Sequence, residues 1–432
     1  MKKMMNGIKK GFSKFIDGIK TRWQNADFSP KAFKTSVLKH KLSLFYLFLS
    51  LAVTLVTGIQ YHRFRHTDPV FVTGPGVVDI QRLSDYYEPL EGTYGDADIY
   101  VLGTQNPDEP SILVLGGVHP NEPASQVAAV VLMENLIVEH GTVYIILETN
   151  RSAFSLSHPQ EATPEWYSIE TPFGERRFKY GSRGTNPVDQ WPVPEVYIHQ
   201  SGQTLSGVDT RNLNRAFPGT ENGTYTELVA HAIAEFVRQK DIIITLDLHE
   251  ASPEYAVNNA LIYHEKVRAT GLASRTYLNL ELFWGIWDDR FAPIKLEISP
   301  RNLRGLTHRE LGDYTNTLPF LAETSNASQG RIRGAMSESL IVDGYDKFYE
   351  RATALGILEV DHSEAVPLDE RVARHIQTFK ELINAYNSLQ GTWTGDLEYY
   401  SRGLFDIEYN DLNFTTVYDR GIGAFLLDPE DS

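Results

Sequence analysis

The sequence predicts an α/β fold, a mixed but mostly parallel sheet with helices on both faces, preceded by one N-terminal transmembrane helix. Three observations lead there. Continuous apolar runs of strand length recur between residues 97 and 325, as expected of strands buried on both faces. Runs with helical spacing of apolar residues alternate with them. Finally, Leu42–Ile59, LSLFYLFLSLAVTLVTGI, holds no charge over 18 residues. At about 1.5 Å per residue that is close to the minimum length for crossing a hydrocarbon core.

The N-terminal part divides by charge. Residues 1–41 carry eleven Lys and Arg against Asp17 and Asp27, a local charge of +9, which leaves −25 for the rest of a chain whose net charge is −16. This basic tail predicts a cytoplasmic N-terminus, a signal anchor over 42–61, and a body outside the cytoplasm. A cleaved signal peptide is the rival reading, but its n-region would be long and only GIQYHRFRH follows, without a small-x-small cleavage site. A buried core helix is a third reading. The opening MKKMMNGIKKGFSKFIDGIK places apolar residues at helical spacing among lysines. It reads either as a helix lying on the anionic inner leaflet or as a solvated flank. The acidic body argues against a nucleic-acid partner. The chain has no cysteine, which excludes disulfides, thiolate metal sites and thiol nucleophiles.

ADIYVLGT, SILVLGGV, TVYIILETN, DIIITLDLH and TLPFLAETS read as strands. SQVAAVVLMENLIVEH, TELVAHAIAEFVRQ and LDERVARHIQTFKELINAYN read as amphipathic or buried helices. A long Pro/Gly/aromatic stretch lies between Arg151 and Asn214, and stretches of that length in a compact domain usually cover a site. From Gln390 onward the spacing of turn residues suggests short strands, a small β-rich extension over 391–432.

The candidate chemistry sits at strand ends. SILVLGGVHPNEP ends an apolar strand with His119 and, three residues on, Glu122. Imidazole and carboxylate suit zinc, which commonly takes two His and one Glu and keeps one position open. A lone H-x-x-E also arises by chance, but DIIITLDLHE again runs through an apolar strand and stops at a histidine, His249. If these strands are neighbours, three ligands converge on the edge where open α/β sheets bind ligands. Asp247 is on the same strand face as His249 and is read as its orienting partner or as a plain strand-end residue; Glu250 points the other way and is read as structural. TRNLNRAFPG offers Arg211, Asn214 and Arg215; an arginine fork suits a carboxylate, and an adjacent amide can add a second contact. FLAETSNASQGRIRG ends a strand at Glu323, a candidate general base or else an ion-paired carboxylate, with Arg331 and Arg333 close behind.

H-x-x-E after a strand, L-N-R-x-F-P-G, a D-L-H strand end and a strand-terminal E-T, in that order, resemble the zinc carboxypeptidase superfamily, and within it the succinylglutamate desuccinylase/aspartoacylase-like branch. The resemblance runs over roughly residues 95–390. It implies one Zn²⁺ per chain held by His119, Glu122 and His249, with Glu323 as catalytic general base. It implies further that Arg211 polarises the scissile carbonyl and that Asn214 and Arg215 grip the substrate carboxylate. The hydrolase domain is then 70–390. Two departures stand out: Asn212 occupies the position where such proteins often have Asp, and the insertion before the motif is long. The apolar segment also does not suit a cytosolic catabolic deacylase.

The function expected is a membrane-anchored, extracytoplasmic zinc hydrolase of carboxypeptidase or deacylase type. It would cleave the amide bond of a small peptide, or of an N-acyl amino acid, beside a free carboxylate. The competing expectation is a catalytically silent metal- or carboxylate-binding surface module. A serine hydrolase lacks support, because no G-x-S-x-G elbow is present.

Overall fold

Among the residues described by this computed structural model (40–158, 162–255, 258–287, 294–358, 364–390 and 402–431), eight strands form one sheet. The strands in chain order are β1 (Val77–Arg82), β2 (Asp98–Gly103), β3 (Ser111–Leu115), β4 (Ile137–His140), β5 (Thr142–Ile146), β6 (Trp166–Thr171), β7 (Gly174–Lys179), β8 (Val196–Ile198), β9 (Thr204–Ser206), β10 (Ile244–Ala251), β11 (Ala260–Tyr263), β12 (Lys295–Ile298), β13 (Leu318–Ser325) and β14 (Asp406–Glu408). The large sheet runs β1-β2-β5-β3-β10-β13-β11-β12. Its centre, β5-β3-β10-β13, is parallel, and β2 and β11 join it antiparallel. The expected mixed, mostly parallel sheet is therefore present.

Both faces are covered, and alternation along each strand decides which residue goes where. Ile112, Val114, Leu246, Leu248, Phe320 and Ala322 face helices α2 (Pro123–Asn135) and α6 (Leu368–Leu389). Leu113, Leu115, Tyr144 and Ile146 face α3 (Tyr225–Gln239), with its Ala230, Ile233, Ala234 and Val237. The Val, Leu, Ile and Phe side chains among these contribute about 1.5–3 kcal/mol each when fully buried. Helix α3 begins where the sequence reads it, with a capping box between Thr224 and Glu227.

One expected helix is shorter than its pattern. α2 stops at Asn135, and Ile137–His140 turns into β4, which pairs antiparallel with β14. The β-branched pair Ile137-Val138 favours that outcome. The last segment differs as well. Its described residues hold the three-residue β14 and helix α7 (Phe414–Arg420), and Phe405, Leu412, Phe414, Val417, Ile422, Phe425 and Leu426 enter the core around α2 and α6. Apolar residues at 414, 417 and 418 have helical rather than alternating spacing.

Contacts divide the chain into Met1–Phe64 and Arg65–Ser432. Helix α1 (Lys41–His66) is 26 residues long, long and apolar enough to cross a membrane. The basic tail lies outside the described residues, apart from 40 and 41.

Glu250 and Arg371 bind the sheet to α2 and α6. The Arg371 Nη1 donates to Glu250 Oε1 at 2.5 Å, with both side chains 0% exposed. The other oxygen, Glu250 Oε2, accepts from Ala124 N–H (2.9 Å) in the first turn of α2. Removing one partner of such a pair leaves a buried, uncompensated charge. Arg371→Met is expected to lower unfolding free energy by about 3–5 kcal/mol, read by denaturant titration of the purified chain.

Candidate metal and hydrolytic site

Three adjacent parallel strands, β3, β10 and β13, deliver the site to one edge. Beyond β3 the chain turns sharply through Gly117, at φ +67°, where a Cβ would sit 2.7 Å from the Phe154 ring. His119 follows, and Glu122 is the N-cap residue of α2, with Pro123 at the first helical position. His249 lies on β10 in register with Glu323 on β13, so the two project from the same face.

His119, Glu122 and His249 are all buried, and one ligand atom from each lies within 4.8 Å of the others. Glu122 Oε1 is 3.0 Å from His119 Nδ1, and Oε2 is 2.8 Å from His249 Nδ1. Arg183 Nη1 donates to Oε1 (2.8 Å), and Glu250 N–H donates to Oε2 (3.0 Å). On their far sides both imidazoles meet acceptors. His119 Nε2 lies 2.9 Å from Asn212 Oδ1, and that oxygen also accepts Asn214 N–H (3.0 Å), which fixes the amide's orientation. His249 Nε2 lies 2.9 Å from Asp247 Oδ2.

A neutral imidazole has one N–H. With that proton donated from Nε2 to Asn212 or Asp247, each Nδ1 presents a lone pair toward a carboxylate. Lone pairs facing a carboxylate need a cation between them, so the donor set fits a metal ion. The fit extends to the outer partners, since ligand imidazoles usually donate their other N–H to an oxygen.

Charge tells the same story. Burial, with the Arg183 cation beside it, pushes His119 down to about 3, so it is neutral at physiological pH. Burial also opposes an imidazolium at His249, but Asp247 and Glu122 together outweigh it and hold His249 well above the usual range. Burial raises Glu122, yet His119, His249 and Arg183 reverse that and keep its carboxyl well below normal. Without a metal, a proton on His249 supplies the positive charge that the two carboxylates require.

Glu323 has a different environment. Its Oε2 is buried without a hydrogen-bond partner among the described residues. Burial pushes the carboxyl up to about 8, against the opposing pull of His249. It borders a cavity of about 780 Å³, together with Asn212, Arg183, Arg215, Arg331 and Arg333.

The expected carboxylate-binding residues are only partly brought together. Arg215 lines the cavity, and its Nη1 donates to Asn214's carbonyl (2.6 Å). Its backbone carbonyl lies so close to Gly305, at φ +82°, that a Cβ there would sit 2.1 Å away. Asn214 is buried, and its Oδ1 accepts Thr307 N–H (2.8 Å) at the start of helix α5 (Thr307–Tyr314). Arg211 Nη1 donates to Thr185's carbonyl (3.1 Å), while the cavity lining holds Arg183 and Arg215. Arg183 is a site residue that the sequence pattern does not single out. It comes from the long insertion, between the β6–β7 and β8–β9 hairpins, where no motif or periodicity marks it.

No family model matches the chain, and no curated protein matches it. Among solved structures, it is similar to a succinylglutamate desuccinylase/aspartoacylase from Rhodobacter sphaeroides, at 20% identity over 53% of this chain and 51% of that one, with a TM-score of 0.32. It is also similar to the tripeptide-bound cell shape determinant Csd4 from Helicobacter pylori, at 13% identity over 75% and 59% of the two chains, TM-score 0.42. An aspartoacylase family protein from Mesorhizobium loti gives 19% identity over 53% and 56%, TM-score 0.31. The chain thus spans half to three fifths of these proteins' lengths.

The site generates a prediction about metal and pH. A metal must displace the proton held by His249, so affinity should rise about tenfold per pH unit below that group's raised pKa, one proton being released. Titration calorimetry in buffers of different ionisation enthalpy counts that proton. His249→Ala should lose most metal binding, and stoichiometric zinc in the double variant His119→Ala, His249→Ala would contradict the site.

Proposed function

We propose that the chain is a membrane-anchored, extracytoplasmic zinc hydrolase that cleaves an amide or peptide bond beside a free carboxylate. One observation carries the hydrolase reading: two imidazole Nδ1 atoms converge on one buried carboxylate, with Glu323, whose Oε2 has no partner among the described residues, in register beside them. The substrate class is a small peptide or N-acyl amino acid, and the reaction is of carboxypeptidase or deacylase type. His119, Glu122 and His249 hold one Zn²⁺ per chain, oriented by Asn212 and Asp247. When bound, zinc supplies Lewis acidity toward a carbonyl oxygen and acidifies water to a pKa of about 7.

The chain's own residues do the rest. Glu323 accepts the proton of the attacking water and returns it to the departing amine nitrogen. With a cation held by His119, Glu122 and His249, the carboxyl of Glu323 would fall from its raised value and be ionised when it must act as base. Arg183 stands at the cavity with its guanidinium already against Glu122, and it stabilises charge developing on the carbonyl oxygen. Arg211 serves it indirectly, holding the Thr185 carbonyl two residues further along. Arg215 takes the substrate carboxylate, and Asn214 fixes it through the start of α5.

Glu323→Gln separates an enzyme from a binding module. It should retain zinc and ligand affinity and lose about 10²–10⁴-fold in kcat, roughly 3–5 kcal/mol of transition-state stabilisation. A loss below about tenfold with zinc still bound would assign the base elsewhere. Peptides and N-acyl amino acids with free or amidated carboxyl termini test the other two roles. Arg215→Ala should raise KM for the free acids and spare the amides, whereas Arg183→Ala should lower kcat for both.

A further inference from the structure

Residues 212–215 form a single tight turn, and its geometry sorts their side chains. Asn212 caps the 3₁₀ turn Leu213–Arg215, and Arg215 N–H donates to Asn212's carbonyl (3.0 Å). In such a turn, residues three apart lie on the same side. Asn212 and Arg215 accordingly both line the cavity that Glu323 borders. The two residues between them turn elsewhere. Leu213 joins the core around α3. Asn214 gives its Oδ1 to the Thr307 N–H (2.8 Å) and to Thr307 Oγ1 (3.1 Å). The side-chain amide that shares the cavity wall with Arg215 is therefore that of Asn212.

That amide is held by its oxygen alone. Oδ1 meets His119 Nε2 (2.9 Å) and accepts Asn214 N–H (3.0 Å), so both of its lone pairs are committed to the protein. Among the described residues no acceptor is paired with Nδ2, although Asn212 is only 6% exposed. Oxygen and nitrogen leave the amide carbon in different directions. With Oδ1 held inward against His119, Nδ2 is turned to the cavity that the residue lines. Its two N–H donors call for an acceptor from whatever enters there.

We propose that Asn212 Nδ2 donates to the substrate carboxylate alongside Arg215, and that this pair selects a free acid over its amide. The inference rests on the reading of Arg215 as the group that takes the substrate carboxylate. A carboxylate offers two acceptor oxygens, one for the guanidinium and one for the amide nitrogen. A carboxamide offers one oxygen and an NH₂, which sets donor against donor at either Arg215 or Asn212. Asn212 then does two things with one side chain: its oxygen orients His119, and its nitrogen reads the substrate. An aspartate at 212 could do only the first, because its second oxygen accepts rather than donates.

N-acetylglycylglycine and its C-terminal amide are suitable probes, since neither carries a side chain that the cavity could exclude. Their dissociation constants are measured by titration calorimetry on the full-length chain in detergent, with one equivalent of Zn²⁺, and zinc affinity is measured on the same samples. Asn212→Asp keeps the oxygen that accepts from His119 and Asn214, so zinc affinity should not fall. Its binding of the acid should weaken about 10–100-fold while binding of the amide changes little. Asn212→Ser keeps a turn-forming oxygen, lacks the amide and adds no charge; at saturating zinc it should show an acid-selective loss of about tenfold. In the double variant Asn212→Ser, Arg215→Ala the loss should fall short of the sum of the single losses, because both groups hold one carboxylate. Equal loss of acid and amide, or acid binding in Asn212→Ser equal to wild type, would overturn the inference and leave the role of Arg215 standing. A wild-type chain that does not discriminate acid from amide, or acid binding that Arg215→Ala leaves intact, would overturn the carboxylate role of Arg215 and this inference with it.

Discussion

The carboxylate of Glu122 is the constraint around which the site-bearing edge of the sheet is arranged. It is a buried negative charge at a helix N-cap, and burying one is costly unless cations and donors surround it. The surroundings are four groups from three parts of the chain: His119 beside it, His249 and the Glu250 amide on β10, and Arg183 from the insertion. Each of these must be in place for the charge to be tolerated, so the strand order, the turn at Gly117 and the folding of the insertion all serve one group.

The alternation of β10 then separates stability from chemistry. His249 and Asp247 project to the site face, where charge is left incompletely balanced. Glu250 projects to the opposite face, where Arg371 and the first turn of α2 donate to its two oxygens. One strand thus supplies a metal-ligand candidate and, one residue later, the ion pair that fixes the helix beginning at Glu122. The rigidity of the site follows from this arrangement, because Glu122 cannot move without disturbing α2, and α2 is held through Glu250 to α6.

The strand-end residues were legible in the sequence because β3, β10 and β13 are long apolar runs that stop abruptly at His119, His249 and Glu323. Burial on both faces forces such continuity, and a charged residue at the end of it is conspicuous. Asp247 was legible for the same reason, by parity with His249. Arg183 was not: it reaches Glu122 across 61 residues, through an insertion whose path is set by hairpins and turns rather than by a period. Arg211 shows the converse. A matching residue type in a motif does not fix where its guanidinium points, and here it points to Thr185's carbonyl. The strands β11 and β12, only four residues each, are too short for alternation to register, and the end of α2 is blurred in the sequence because β4 follows it after a single residue.

The central claim is that His119 and His249 present unprotonated Nδ1 atoms to a cation while their Nε2–H groups stay donated to Asn212 and Asp247. Nitrogen-15 NMR of histidine-labelled chain, with and without one equivalent of Zn²⁺, measures this directly. The account predicts that zinc removes the Nδ1 proton of His249, shifts the Nδ1 resonances of both residues, and leaves both Nε2–H signals in place. Zinc-induced loss of either Nε2 proton, or no change at His119 and His249 at all, would contradict it.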